Sequence, residues 1–488
     1  MKAKIFDPEN RKWWTLGAVA FGLFMIMLDN TIVNVALPSI QSDLNIGISE
    51  LEWVFNGYAL TFGVLMLTGG KLADMLGRRR IFIVGLVIFT IASLFCGLAT
   101  SAGWLIGARV VQGAGSALMN PATLSIITAT FPPRQRGMAI GIWAGVSAMA
   151  LAIGPLAGGL ITQHIGWSWI FFINVPIGIL AIIVTRLVVD ESRDTSENQR
   201  LDLPGLLTSG IGLFALTFAL IEANSYGWTD PLILALFATT VIAIAAFIVL
   251  EMRQRAPMLD LNLFRNSTFA GANTVMLLVG LAMFGVFFYN SLFIQNVLGF
   301  SAVQTGASFL PMTVLIILVA PIAGKYSDRV GSRWLVAVGM VLLSISLLSF
   351  SRLEATSNFW DILPGLLIGG FGMAIVMTPI TAAAMGSVAV DKAGVGSAVL
   401  NSGRQVGGSL GIAVMGAIVA ASATGVPGTP AAVEGFVTGY QHALQVAAAI
   451  ALAGAVLSVA TIRKYRHEPR ETEKRDREQH HPDGDEPT

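Results

Sequence analysis

The chain has 488 residues, 54% of them hydrophobic and 12% charged. Soluble domains carry about 25% charged residues, so this composition, with a mean hydropathy of +0.72, excludes an ordinary string of water-soluble domains. A formal net charge of +1 gives no global case for nucleic-acid binding, and a single cysteine, Cys96, excludes an intrachain disulfide.

In chain order, apolar runs long enough to span a bilayer, about 20 residues each, fall at 14–37, 52–70, 81–99, 103–125, 137–162, 169–189, 203–222, 231–251, 269–297, 305–325, 333–351, 361–386, 395–421 and 441–462. They are long and continuous, unlike the short alternating segments of a membrane barrel. The chain therefore reads as an all-α membrane protein with fourteen transmembrane helices. The first run is too long for a removable signal peptide and lacks a clear small-residue cleavage site, so it is expected to stay as the first helix.

Cations sort these helices. Connections after even-numbered helices carry Arg78, Arg79 and Arg80; Arg134 and Arg136; Arg193 and Arg200; Arg253, Arg255 and Arg265; Arg329 and Arg333; and Lys392. The regions before the first helix and after the last are basic too, whereas the opposite loops hold essentially Arg352 alone. The positive-inside bias assigns both termini to the cytoplasm. The expected organisation is a cytoplasmic N-terminus (1–13), a six-helix half (14–189), a polar linker (190–202), two inserted helices (203–251), a second six-helix half (269–462) and a disordered charged tail (463–488).

The two halves share a repeat. In "GGKLADMLGRRR" (69–80) and "AGKYSDRVGSR" (323–333), Gly70, Asp74 and Gly77 align with Gly324, Asp328 and Gly331. Each set follows the second helix of its half. Parallel halves of this kind are a common plan for secondary transporters, with the substrate site near the midplane between them.

Three charges lie deep in apolar runs; one of them, Arg404 in "NSGRQVGG" (401–408), has no obvious acidic partner on its own helix. Asp29 interrupts "FMIMLDNTIVNVALP" (24–38), and Arg109 opens "RVVQGAGSALMNP" (109–121). Counted from the outer helix ends, their depths differ by only about 5 Å at the α-helical rise, so a pair between them is geometrically possible. Loss of water and attraction to Arg109 act in opposite senses on the Asp29 proton. That competition suits a group whose protonation follows conformation, since intramembrane acids are costly and usually functional. A permanent ion pair that fixes helix packing is the structural alternative. Glu52 and Glu222 lie near outer helix ends and are expected to be solvated, with Glu52 a minor candidate for proton entry. In the fifth helix, Gly141 with Gly145 and Gly154 with Gly158 form faces that allow close helix approach, and Pro155 can bend it.

These segments resemble the major facilitator superfamily, and within it the fourteen-helix drug/proton antiporter branch. The resemblance rests on "LDNTIVNVALPSI" (28–40), "GKLADMLGRRR" (70–80), "RVVQGAGSALMNP" (109–121), "GPLAGG" (154–159) and "WIFFINVPIG" (169–178), in that order. It implies export of small molecules driven by the proton gradient; the residue reading above makes Asp29 the expected proton carrier and Arg109 its modulator. It also implies that Gly70, Asp74, Gly77, Arg78, Gly324, Asp328 and Gly331, with Gly154, Pro155 and Gly158, serve conformational switching. By analogy the cavity is lined by helices 1, 2, 4 and 5 and their counterparts 9, 10, 12 and 13. Substrate-contact candidates are then Asn34, Trp53, Asn56, Tyr58, Gln112, Trp143, Phe288, Tyr289, Asn290, Met373, Met377, Asn401, Arg404 and Gln405.

No phosphate-binding loop of the G-x4-G-K-[ST] type is present, and no His/Cys metal cluster; His164 and His442 are expected in outer loops. "GGSLG" (407–411) fits a nucleophile elbow only formally, because it lacks the strand–turn–helix setting. No enzyme activity or cofactor is expected beyond the proton gradient as energy source. The expected partners are a small-molecule substrate, protons and the lipid bilayer of the cytoplasmic membrane, with an envelope-spanning adaptor left open. Two other readings stay open: a dedicated exporter of one solute such as a natural product or siderophore, and a non-transporting membrane sensor or scaffold.

Overall fold

The computed structural model describes residues 8–193, 201–254, 257–388, 393–422 and 429–463. Fourteen long helices run through them: α1 Pro8–Leu44, α2 Ile48–Leu76, α3 Arg78–Gly97, α4 Ala102–Thr130, α5 Pro133–His164, α6 Asn174–Val188, α7 Leu203–Tyr226, α8 Pro231–Arg253, α9 Ser267–Leu292, α10 Leu310–Val330, α11 Ser332–Phe350, α12 Phe359–Gly386, α13 Ala393–Ala421 and α14 Pro430–Thr461. Short turns at Trp169–Phe172, Phe293–Val297 and Ala302–Ser308 extend α6, α9 and α10. Thirteen of these segments are long and apolar enough to cross a membrane. The remaining one is α4, whose hydropathy is lowered by Arg109, Gln112, Asn120 and a run of small residues. The all-α, multi-pass membrane reading holds.

Several helices are longer than their apolar cores suggested, because polar caps set their ends. α14 starts at Pro430, where Thr429 caps the Ala432 N–H, rather than at 441. α12 starts with a reciprocal box between Asn358 and Asp361. Contrary to expectation, His164 lies in the last turn of α5 and His442 lies inside α14.

The repeat is visible in the packing. In the first half α1 packs on α5, α2 on α4, α3 on α4 and α3 on α6; in the second, α9 on α13, α10 on α12, α11 on α12 and α11 on α14. The aligned glycines have the same role. Gly77 ends α2 at φ 113° and Gly331 ends α10 at φ 92°, and each donates its N–H to the residue four back. Both φ values strain any residue with a Cβ. The side chain of Asp328 lies outside the described residues.

α7 and α8 form a hairpin. α7 leans on α2 and α13, with Trp53 between Phe214 and Phe218 (ring centroids 5.7 Å from each) and Asn224 donating to the Ala417 carbonyl at 2.7 Å. α8 carries the most exposed apolar face, with Val241 and Ile242 68% and 69% exposed. For a membrane helix this is a lipid-facing surface.

One apolar cluster stays inside the first half, around Met25, Phe62, Phe89 and Met119. A larger one crosses between halves, from Leu28, Ile32 and Phe55 into Phe288, Phe293 and Tyr440, and a small one around Ala219, Ala223 and Ile233 holds the α7–α8 hairpin. The end of the bundle holding Gly77 and Gly331 is called the basic end, and the opposite end the far end. At the far end the halves are closed on each other. Gln295 donates to the Val35 carbonyl (3.0 Å), the Val303 N–H to Gln163 (3.1 Å), and Asn296 to Gln41 (3.3 Å). A methyl on Gly158 would lie 2.8 Å from the Ile32 carbonyl, and one on Gly159 or Gly306 would overlap backbone of the opposite half. Toward the basic end of α5 the packing stops: a methyl on Gly141 or Gly145 would meet nothing within 4 Å. That glycine pair was expected at a close helix contact and in this conformation faces open space.

Candidate functional site

Asp29 and Arg109 form a direct ion pair, and both side chains are fully buried. α4 can carry Arg109 this deep because it is narrow. Added methyl groups at Gly113 and Gly115 would clash with the backbone of Tyr58 and Phe89, so α2 and α3 close tightly round it. The neighbours complete the site. Gln112 lies one turn along from Arg109; it donates to Asp29 Oδ1 at 2.9 Å and accepts from Arg109 Nη1 at 2.8 Å. Arg109 Nε donates to the Val54 carbonyl at 3.2 Å, and the guanidinium lies 4.2 Å from the Tyr58 ring centre. A cation over an aromatic face in a dry site gains about 2 kcal/mol or more. Tyr58 is itself held by Ser116 at 2.9 Å.

A second ring of hydrogen bonds fixes Gln112. Its Nε2 reaches Ser93 Oγ at 3.3 Å; Ser93 donates to the Phe171 carbonyl at 2.9 Å and accepts from Asn174 at 3.1 Å. Five helices therefore converge on one carboxyl: α1, α2, α3, α4 and α6. Charge is neutral overall within the pair, which is what makes burial tolerable; removing either partner would strand a fully buried charge. Ser93, Ser116 and Asn174 were not foreseen. Their only signal in the sequence is a polar side chain inside an apolar run.

The other candidates separate by position. Asn30 and Asn34 each donate to the carbonyl four residues back on α1, and Asn30 also lies 3.5 Å from the Tyr58 hydroxyl. Trp143 donates to Thr123 at 3.0 Å, tying α5 to α4. Trp53 packs on α7 and shares Glu222 with Ser49, at 3.2 and 2.9 Å. Asn290 accepts from Tyr440, and Phe288 is core. Met373 and Met377 border the core cluster from α12. Asn401 donates to the Ser397 carbonyl at 3.0 Å, and Gln405 is buried against Gly63 of the other half. Among the described residues Arg404 has no ion pair and its Nε has no partner.

Glu52 departs from its expected solvated state. It is 3% exposed and accepts a hydrogen bond from Tyr289. The end of α2 proved longer than its apolar core, so Glu52 sits a full turn inside the helix.

At the basic end Asp74 pairs with Arg78 on its own chain turn, at 2.9 Å. The segment after α6 straps across this turn. Glu191 accepts from the N–H groups of Arg79 (3.1 Å) and Arg80 (3.2 Å), and the Ser192 carbonyl accepts from Arg78 N–H at 2.8 Å. A carboxylate on the first amides of α3 is favoured by the unpaired donors there. A Cβ on Gly77 would lie 2.7 Å from the Glu191 carboxyl carbon, so this glycine is set by space as well as by φ. Residues 190–192 of the expected linker are docked, Asp190 through Arg11, and Asp202 is a buried helix cap; residues 194–200 lie outside the described residues.

Known proteins share this architecture. The fold matches a crystal structure of a bacterial homologue of the human lysosomal transporter Spinster, in an inward-facing and unoccupied conformation, with a TM-score of 0.68 at 18% identity over 93% of this chain and 98% of that one. In sequence the chain is similar to a tetracenomycin C resistance and export protein of Streptomyces glaucescens, 38% identical over 84% of this chain and 77% of that protein. It is also similar to a puromycin resistance protein of Streptomyces alboniger, 37% identical over 92% of this chain and 91% of that protein. A methylenomycin A resistance protein of Streptomyces coelicolor is 36% identical over 82% of this chain and 84% of that protein. With the family model matching residues 19–412, on top of the repeated halves and their paired glycine turns, this chain belongs to the Major Facilitator Superfamily.

Proposed function

We propose that this protein exports drugs or other small amphipathic molecules across the cytoplasmic membrane in exchange for protons, by alternating access of its two halves. The observation that carries the reading is the buried Asp29–Arg109 pair. A carboxyl held by a cation at this depth has two competing states, ion-paired and protonated, and a structural span needs neither. In the proposed cycle a proton on Asp29 releases Arg109, and reorganisation of Gln112 and Tyr58 passes that change to α2 and α4. The resistance and export functions carried in the names of the relatives support the direction and the cargo. The Lys/Arg bias supports a cytoplasmic basic end, and with the far end closed this reading takes the conformation as inward-facing. Gly70, Asp74, Gly77 and Arg78, with Gly324, Asp328 and Gly331, are the switching turns of this proposal, and Gly154, Pro155 and Gly158 its sliding face. Arg404, Asn401 and Met377 are the substrate contacts that packing leaves most available.

The test is transport of a chemically varied panel by the purified protein in vesicles, with and without a proton gradient. Gradient-dependent movement of several unrelated compounds is expected. Movement that ignores the gradient, or none for any compound, overturns the reading. Transport of one compound alone would instead favour a dedicated exporter, a reading supported by relatives named for single antibiotics.

A further inference from the structure

Glu52 is another buried carboxyl of the helical bundle, with a partner in the opposite half, and the mechanism above does not use it. It projects from α2 of the first half. Its hydrogen-bond partner, Tyr289, comes from α9 of the second half, and both side chains are buried. Gly416 of α13 closes the third side: a methyl there would overlap the Glu52 carboxyl, so the carboxyl fills the notch a glycine leaves. The contact therefore exists only while α2 is closed on α9 and α13.

No cation pairs with Glu52 among the described residues. Arg109, the deep cation on the adjoining α4, is committed to Asp29. The titratable groups that face Glu52 are Tyr289 from α9 and Glu222 from α7; α13 presents Gly416 there, and Arg404 is twelve residues away along that helix, roughly 18 Å at the α-helical rise. A carboxylate in this position would be a bare charge in a dry interface beside another acid, a placement that costs several kcal/mol. A neutral carboxylic acid fits. Metal cations do not fit, because they require several oxygen ligands, and no group of three or more His, Cys, Asp or Glu suited to a metal is present among the described residues.

A second observation points the same way. Deeper into the bundle than Glu52, buried positions of α2 and α13 are polar yet unsatisfied. Among the described residues, neither side-chain polar atom of Asn56, one turn further into α2, has a partner, nor do Ser409 Oγ and Gln405 Nε2 on α13. All three residues are at most 2% exposed. A contact meant to stay shut would carry apolar residues, since buried unpaired polar groups are costly. A contact that opens to water in part of a cycle recovers their hydrogen bonds when it opens.

We propose that Glu52 is a second proton-binding site of the transporter, and that the far end closes only after it takes up a proton from that side. Closure transfers the carboxylic acid from water to the notch between Tyr289 and Gly416; opening hydrates it and lets the proton leave to the same side. Only proton binding is involved. The site makes gate closure depend on far-side pH and leaves the coupling role to Asp29. It rests on the alternating-access reading above.

The experiment uses full-length protein in lipid nanodiscs, with spin labels on cysteines introduced at Thr100 and Thr356. Both are exposed, in far-end turns of opposite halves. Cys96 is buried and stays unlabelled. In the otherwise native protein the short inter-label distance is expected to dominate in acid and to give way to a longer one as pH rises. In Glu52→Gln, a neutral near-isostere, the short distance should persist at all pH values. In Tyr289→Phe the pH response should remain, with the closing equilibrium weakened about fivefold by the lost hydrogen bond. In Gly416→Ala the long distance should be enriched at all pH values. An unaltered pH response in Glu52→Gln, or a far end that stays open in it, overturns the proposal. A single distance for every variant, with or without a transported compound, overturns alternating access itself, which separates the two failures.

Discussion

Removing the charge of Asp29 should separate a structural ion pair from a working one. In Asp29→Asn the Arg109 guanidinium keeps Gln112 Oε1 at 2.8 Å, the Val54 carbonyl at 3.2 Å and the Tyr58 face at 4.2 Å, but loses its anionic partner. Stranding one member of a buried pair costs about 3–5 kcal/mol in soluble proteins. Chains unfolded within a membrane find substitute partners, so about 2–4 kcal/mol is the expected destabilisation here. Arg109→Met alone should cost a similar amount, by stranding the carboxylate. The pair Asp29→Leu with Arg109→Met replaces two charges by apolar groups of similar size and should recover most of the stability, to within about 1 kcal/mol of the parent. It should not recover proton-driven transport. Unfolding in detergent gives the stabilities, and uptake into vesicles with an imposed pH gradient gives the activity. If the apolar pair transported normally, the ion pair would be packing and the proton assignment would fall. If Asp29→Asn cost less than about 0.5 kcal/mol, the stranded-charge reasoning would be wrong.

Gly77→Ala should destabilise the basic end by about 1–2 kcal/mol, since φ is 113° and the added methyl meets the Glu191 carboxyl; trimming Glu191 to Ala should relieve the clash but not the φ strain, readable by protease cleavage at residues 77–80. Gly158→Val should force α1 and α5 apart, because even a methyl lies 2.8 Å from the Ile32 carbonyl, and should abolish transport with the protein still inserted; wild-type rates would refute a tight α1–α5 contact in the cycle. Asp202 predicts an acid dependence. Burial raises its pKa, but hydrogen bonds from Gly205 N–H (2.7 Å), Gln254 (2.7 Å) and Met258 N–H (3.1 Å) outweigh it, and the net pKa lies below the ordinary carboxylate value. A depressed folded pKa gives stability that is present above the unfolded value, about 3.9, and is lost as pH falls through the folded value. Melting in detergent should therefore fall below about pH 4 in the parent, and Asp202→Asn should flatten that acid limb.

The sequence by itself determined the class, the helices and the repeat. Long apolar runs can satisfy their backbone in lipid only as helices, so the spans were readable from hydropathy alone. Gly77 and Gly331 were readable as turn positions because a glycine between a helix end and an arginine-rich loop has a local explanation. Asp29 and Arg109 were legible as partners because helical rise fixes depth, whichever way the helices rotate.

Rotation and neighbours were left to the tertiary structure. Gln112 joined the ion pair, and Ser93, Ser116 and Asn174 joined its support, because α4 packs with α2 and α3 and brings the α6 region within reach. Trp53 turned to α7, since the inserted hairpin docks where hydropathy shows only two more spans. Gly141 and Gly145 were open while Gly154 and Gly158 were packed, a difference set by which end of the bundle is closed. Glu52 shows the division most sharply. Depth along α2 placed it near water, yet its burial comes from Tyr289 and Gly416, more than 200 residues later in the chain, and long-range packing of that kind leaves no trace in local sequence pattern.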